Sequence, residues 1–165
     1  MRILITGATG LVGNAIYQLL KKNKKNKIVC ITSKSDYDNP DFIKYNLLCS
    51  TENLSSIIKD IDCIIHCAVS LPINIPNKQS ALETEKIDKC IYNFAKSSDA
   101  YLIYISSAFI YNIHDSKIKS ETDCLCKHSR YHQAKIKGEK LFSQLKNYLI
   151  ARISSPYSET IKNRN

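Results

Sequence analysis

The stretch Arg2-Ile-Leu-Ile-Thr6-Gly7-Ala-Thr-Gly10-Leu-Val-Gly13 carries the decisive pattern of the chain. A short apolar run ends on a glycine. Leu11, Val12, Ala15, Ile16, Leu19 and Leu20 then recur at helical spacing. Strand, glycine turn and helix in that order are the context a dinucleotide-binding fingerprint requires. Gly7 permits the tight turn, Gly10 lets the backbone approach a pyrophosphate, and Gly13 permits close packing of helix on strand. The anion then rests on the free N–H groups of Leu11, Val12 and their neighbours at the helix N-terminus. These are three of only four glycines in 165 residues.

Beyond this unit the pattern keeps alternating. Lys27–Thr32 reads as a second strand, Ser33–Pro40 as a polar loop and Phe42–Leu47 as a third strand. Ser50 is placed to cap a helix carrying Leu54, Ile57, Ile58 and Ile61. Asp62–Val69 is a continuous apolar strand of the kind buried on both faces. Ser70–Gln79, with two prolines, is loop. Ile87, Cys90, Ile91, Phe94 and Ala95 mark a helix, and Tyr101–Ser106 a fifth strand. After a long loop, Tyr131, Ala134, Gly138, Leu141, Phe142 and Leu145 mark a last helix, and Tyr148–Ile153 a sixth strand. Such alternation predicts an α/β fold with a doubly wound parallel sheet.

Composition narrows the class. The length suits one domain, and 44% apolar with 24% charged residues is a soluble globular balance. No apolar run approaches the ~20 residues of a membrane span, and the N-terminus has no signal-peptide pattern. A cytoplasmic protein without membrane contact is expected. The net charge of +9 comes mostly from lysine. Its densest cluster, Lys21 to Lys27, lacks interleaved aromatics and reads as a solvated helix end, so nucleic acid is not an expected partner. Seven cysteines without a C-x-x-C pair argue against a disulfide framework. Cys124-Leu-Cys126-Lys-His128 reads as polar loop, and no metal is expected.

A second constellation carries chemistry. In Tyr131-His-Gln-Ala-Lys135 the four-residue spacing puts phenol and ammonium on one helical face. A neighbouring ammonium favours phenolate, which suits the tyrosine to proton exchange near neutral pH. Ser106-Ser107-Ala108 stands at the C-terminal end of the fifth strand, the edge where open parallel sheets bind ligands. Ser107 can hydrogen-bond the substrate oxygen that Tyr131 protonates.

With these residues in place the chain resembles the extended short-chain dehydrogenase/reductase family, in its branch of NAD(P)-dependent nucleotide-sugar epimerases, reductases and dehydratases. The resemblance runs from Met1 to about Tyr157. It rests on the glycine motif, on Asp62-Cys-Ile-Ile-His66-Cys-Ala68, on Ser106-Ser107-Ala108 followed by Tyr111, on Tyr131-x-x-x-Lys135, and on Arg152-Ile-Ser-Ser-Pro156-Tyr157. It implies a Rossmann NAD(P)-binding domain over residues 1–157 and a short tail, 158–165, at the start of a substrate-binding region. It implies Ser107 and Tyr131 as the catalytic pair, and Lys135 on the nicotinamide-ribose hydroxyls. Asn46, Leu47, Cys67, Ala68 and Val69 would line the cofactor, and Pro156 would lie near its carboxamide. Tyr111 reads as packing. The family often dimerises through its fourth helix and the helix of Tyr131, and a homodimer by that route is the expectation; the asparagine and Gly-Thr usual in the fourth helix are absent, with Thr84 and Ile87-Asp88 near that position.

Departures from the family pattern sharpen the reading. Its acidic residue after the third strand is Asn46 here, and Ser155 replaces the asparagine before Pro156. The second strand ends in Thr32-Ser33-Lys34, with hydroxyls and a cation but no carboxylate. Ser33 and Lys34 therefore favour NADP, with NAD as the alternative. Dehydratases of the group carry Asp-Glu where Ala108 and Phe109 stand, which leaves epimerisation or keto-sugar reduction by hydride transfer. Family members run to roughly twice this length. The expectation is therefore an NAD(P)-dependent epimerase or reductase acting on a nucleotide sugar. The competing reading is a truncated, inactive NAD(P)-binding or regulatory module.

Overall fold

Ile3 and Ile5 leave the opening strand on one side and Leu4 on the other, and all three are buried. A strand apolar on both faces needs helices on both sides, and the chain supplies them. The computed structural model describes residues 1–33, 38–48, 53–70, 78–111, 117–126 and 129–154. Its strands are β1 (Arg2–Thr6), β2 (Lys27–Thr32), β3 (Phe42–Lys44), β4 (Cys63–His66), β5 (Tyr101–Ser107) and β6 (Tyr148–Ile153). They form one parallel sheet in the order β3-β2-β1-β4-β5-β6. Leu4 lies opposite Val29 on one side and Ile64 on the other.

The helices are α1 (Leu11–Lys21), α2 (Leu54–Ile57), α3 (Lys78–Ser98) and α4 (Arg130–Phe142), with one 3₁₀ turn at Ala108–Ile110. Ile3, Ile5, Cys30, Cys63 and Ile65 pack with Tyr17 of α1 on one face. On the other face Leu4, Ile64, Leu102 and Tyr104 meet Ile91 and Phe94 of α3 and Phe142 of α4. Chain order therefore reverses direction between β1 and β4, and the doubly wound Rossmann topology expected from the alternation is the one observed.

Several boundaries differ from expectation, each for a local reason. β3 stops at Lys44 rather than Leu47. The Tyr45 N–H still reaches the Thr32 carbonyl at 2.8 Å, but Asn46 then turns the chain by accepting the Leu48 N–H on its own side chain at 3.0 Å. β4 stops at His66 rather than Val69, because its neighbour β1 ends at Thr6 and leaves the sheet at Gly7. β5 extends one residue further than expected, through Ser107. The helix after β3 is a single turn, Leu54–Ile57, capped by Asn53 on the Ser55 N–H; Ser50 lies outside the described residues. Ile58 and Ile61 are buried all the same. On α1 the expected stripe is rotated: Leu19 is 65% exposed while Tyr17 is buried. The Tyr17 hydroxyl donates to Asp41 at 2.7 Å, and Lys21, from the lysine cluster, completes that group at 2.9 Å from the same carboxylate.

The approach of α4 to the sheet depends on Gly138. A Cβ there would stand 2.3 Å from the Tyr104 hydroxyl and 2.6 Å from an Asp88 carboxylate oxygen. Both neighbours are buried and hydrogen-bonded, so neither can yield. Gly138→Ala is expected to destabilise the fold by about 1–3 kcal/mol through overpacking. A denaturant titration checks this, and an unchanged midpoint with unchanged slope would refute it.

Candidate functional site

The β1–α1 turn is fixed by Gly7, whose φ of +70° lies in the left-handed region. A Cβ there would also fall 2.7 Å from the Ala68 nitrogen. The turn is thus pressed against the end of β4. Thr6 makes the seam polar: its hydroxyl accepts the Ala68 N–H at 3.2 Å and lies 2.6 Å from His66 Nδ1. His66 Nε2 lies 3.0 Å from an Asp88 oxygen. A carboxylate only accepts, so Nε2 carries the hydrogen there, and Thr6 donates to Nδ1 if the ring is neutral.

Past this seam the backbone opens onto α1. Gly10 is the N-cap and offers no side-chain cap. The N–H groups of the first turn, at Leu11, Val12 and Gly13, are free of intrahelical partners by helix geometry. A cleft of about 350 Å³ begins at this turn. Of the residues expected to hold a dinucleotide, Gly7, Gly10, Ser33, Asn46, Leu47, Cys67, Ala68 and Val69 line it. Leu11, Val12 and Gly13 form the adjoining helix turn rather than the cleft wall. Lys34 and Pro156 lie outside the described residues. Thr9, Thr32, Tyr45, Leu48, Ser70 and Ile87 line the cleft as well. Sequence reasoning had no signal for Tyr45 and Ile87, since each reads simply as core.

These features fit a nicotinamide dinucleotide. An uncapped helix end receives a diphosphate, a side-chain-free turn lets it approach, and the mixed apolar and hydroxyl walls suit a nucleoside.

The second constellation sits on β5 and α4. Ser129 caps α4 by accepting the His132 N–H at 3.2 Å, which places Tyr131 in the first helical turn. Tyr131 is half-buried, its ring edge-on to that of His132. Ser107 ends β5 and is buried; its oxygen accepts the Phe109 N–H at 3.2 Å, which leaves its own hydrogen available to donate. The 3₁₀ turn after Ser107 packs against α4.

Lys135 is nearly fully buried. Its ammonium donates to the Ile105 carbonyl at 2.8 Å and lies 4.7 Å from the centre of the Tyr104 ring. Among the described residues it makes no hydrogen bond to Tyr131. Burial holds Lys135 below the usual lysine range, and the charges of Asp88, Cys67 and Glu139 act the other way. Burial pushes the Cys67 thiol on the cleft wall up to about 12, and the positive charge of Lys135 acts against that rise.

Asp88 and Glu139 are the residues sequence reasoning did not place in roles. Asp88 also takes the Tyr104 hydroxyl, at 3.4 Å. The signal for it was a carboxylate within the apolar stripe of α3. Glu139 receives Arg152 through Nε at 2.9 Å and Nη2 at 2.7 Å, and the Ser106 hydroxyl at 2.6 Å. Arg152 also donates to the Tyr111 hydroxyl, which gives that tyrosine its packing role. Among the described residues no three His, Cys, Asp or Glu side chains stand close enough to hold a metal ion, and no helix is long and apolar enough to cross a membrane.

The fold recurs in known proteins. The beta subunit of methionine adenosyltransferase 2 from Bos taurus is 33% identical over 167 residues, covering 96% of this chain and 48% of that protein. The chain spans about half the length of the curated relatives it matches. Among solved structures, UDP-glucuronic acid 4-epimerase from Bacillus cereus in complex with NAD superposes with a TM-score of 0.77 at 24% identity, covering 94% of this chain and 57% of that one. A hypothetical dTDP-4-dehydrorhamnose reductase from Sulfolobus tokodaii superposes at 0.74 and 24% identity, over 93% and 56%. At those identities the likeness shows the fold. The family described as RmlD substrate binding domain matches residues 1–165. The chain belongs to that family.

Proposed function

We propose that this chain binds a nicotinamide adenine dinucleotide in the cleft at α1 and forms the cofactor-holding part of a nucleotide-sugar epimerase or reductase. The observation that carries the reading is the uncapped α1 N-terminus opening onto a cleft walled by Gly7 and Gly10. Among the described residues the end of β2 offers Thr32 and Ser33 and no carboxylate, which favours NADP; NAD is the alternative, and solved neighbours in the fold hold NAD.

The bound dinucleotide would supply hydride acceptance and donation. This chain's residues do the rest. The Ser107 hydroxyl, its oxygen steadied by the Phe109 N–H, donates to the reacting substrate oxygen. The Tyr131 hydroxyl gives or takes the proton at that oxygen. Lys135 provides positive charge behind the pair, held by the Ile105 carbonyl until ribose hydroxyls compete for it.

A second reading has its own support. Lys135 bonds backbone rather than Tyr131, and the cleft walls do not include Ser107 or Tyr131. The mammalian relatives are named as a subunit of an enzyme of another class. On this reading the chain binds the dinucleotide and acts as an assembly or regulatory module.

Turnover separates the two. With NADPH or NADH and a panel of nucleotide keto-sugars, the enzyme reading expects nicotinamide oxidation that Tyr131→Phe lowers by about 10²–10⁴-fold, with dinucleotide affinity unchanged. Binding without turnover in the native chain selects the module.

Gly10→Ala tests the cleft itself. Its Cβ would meet only the Gly7 carbonyl, at 3.3 Å, so the fold is expected to survive. The added methyl sits where a diphosphate must approach, and dinucleotide affinity is expected to drop by about tenfold or more. Calorimetric titration reads it; native affinity in the variant would count against the placement.

Lys135 also predicts a pH effect with a definite sign. Its folded pKa lies below the ordinary 10.5. Between the two values the unfolded chain holds the extra proton, so raising pH through that window stabilises the folded form. The stability of the native chain relative to Lys135→Met should therefore rise as pH climbs toward 10.5, the thiol contributions being common to both chains. Paired denaturant curves check it, and a flat or falling difference would contradict it.

A further inference from the structure

Asn46 lies in the turn that follows the edge strand β3, two residues past its end, and its amide has a fixed orientation. We infer that the cleft reads the purine through a hydrogen-bond donor at Asn46, so that it accepts a 6-oxopurine dinucleotide about as well as the adenine form. This rests on the dinucleotide reading above.

Sheet order supplies the position. With a diphosphate at the β1–α1 turn, a nucleoside running outward crosses the end of β2, at Thr32 and Ser33. It then arrives beyond β3, where Asn46, Leu47 and Leu48 line the cleft. Leu47 and Leu48 supply apolar faces for a flat ring. Among the described residues lining that end Asn46 is the polar one, and it is exposed to what enters.

Local geometry sets its polarity. Oδ1 accepts the Leu48 N–H at 3.0 Å in a turn spanning two residues. Turning the amide over would set NH₂ against that N–H, so the oxygen stays with the backbone and the NH₂ faces away. Among the described residues that NH₂ has no protein partner. An amide nitrogen only donates. It therefore satisfies N1 or N7 of adenine, and equally O6 or N7 of hypoxanthine. A carboxylate in its place would favour the adenine amine and repel O6.

The substitution Asn46→Asp isolates this difference. Aspartate keeps the turn to Leu48, because one carboxylate oxygen accepts the same N–H, and only the outward atom changes from donor to acceptor.

The experiment titrates the full chain with NAD and with nicotinamide hypoxanthine dinucleotide, with the 2′-phosphorylated pair alongside, by calorimetry. The native chain is expected to bind both bases within about threefold, and Asn46→Asp to prefer adenine by about tenfold more than the native chain does. A native preference for adenine of tenfold or more, unmoved by Asn46→Asp, overturns the inference and leaves the dinucleotide cleft standing. Absence of binding by all four dinucleotides overturns the cleft reading and this inference with it.

Discussion

The Thr6 hydroxyl meets His66 Nδ1 at 2.6 Å while taking the Ala68 N–H, and the rest of the site is arranged around that seam. β1 and β4 part company there: one chain turns at Gly7 into α1, the other passes beneath that turn. The separation opens the cleft, and the Thr6 contacts keep the buried edge from being a row of unpaired polar groups. His66 carries the link inward to Asp88 on α3, and Asp88 carries it to Tyr104 on β5. Three strands and a helix are thereby registered by one polar thread in an otherwise apolar layer. Such a thread is costly if any member is lost, since each remaining group would be buried unpaired.

Lys135 lies beside the same thread, over the Tyr104 ring and within the field of Asp88. A buried ammonium is a burden on the fold, and the lowered pKa of Lys135 has the direction that burden produces. Groups of this kind are found where chemistry or binding needs them. Glu139 and Arg152 secure the opposite flank by tying α4 to β6, while the Ser106 hydroxyl joins the same carboxylate from β5. Ser107 and Tyr131 are thus mounted on elements fastened on both sides, although the cleft itself opens closer to β1, β2 and β4.

How much of this was legible in the sequence varies by scale. β1, β2 and β6 have the limits their apolar runs suggest, because a strand inside a parallel sheet is recorded as continuous apolar sequence. The ends of β3 and β4 were not legible. They are set by Asn46 folding onto Leu48 and by the departure of a neighbour at Gly7, and neither leaves a break in hydropathy. The rotated stripe of α1 is similar: leucine at 19 satisfies helical spacing, yet Tyr17 is the residue that meets Asp41. In the site, glycines at 7 and 10 announced the cleft, whereas Tyr45 and Ile87 on its wall carry no mark that separates them from core.

The sequence by itself determined the class of fold and the location of the glycine turn that opens onto the cleft, because strand period, helix period and glycine spacing are local properties of a chain. Tertiary structure alone decided the partners of the polar side chains. Whether Lys135 faces Tyr131 or the Ile105 carbonyl, and which atom of Asn46 looks outward, follows from backbone groups delivered by other segments. A hydrogen bond depends on positions within a fraction of an ångström, and no spacing rule along one helix or strand fixes those.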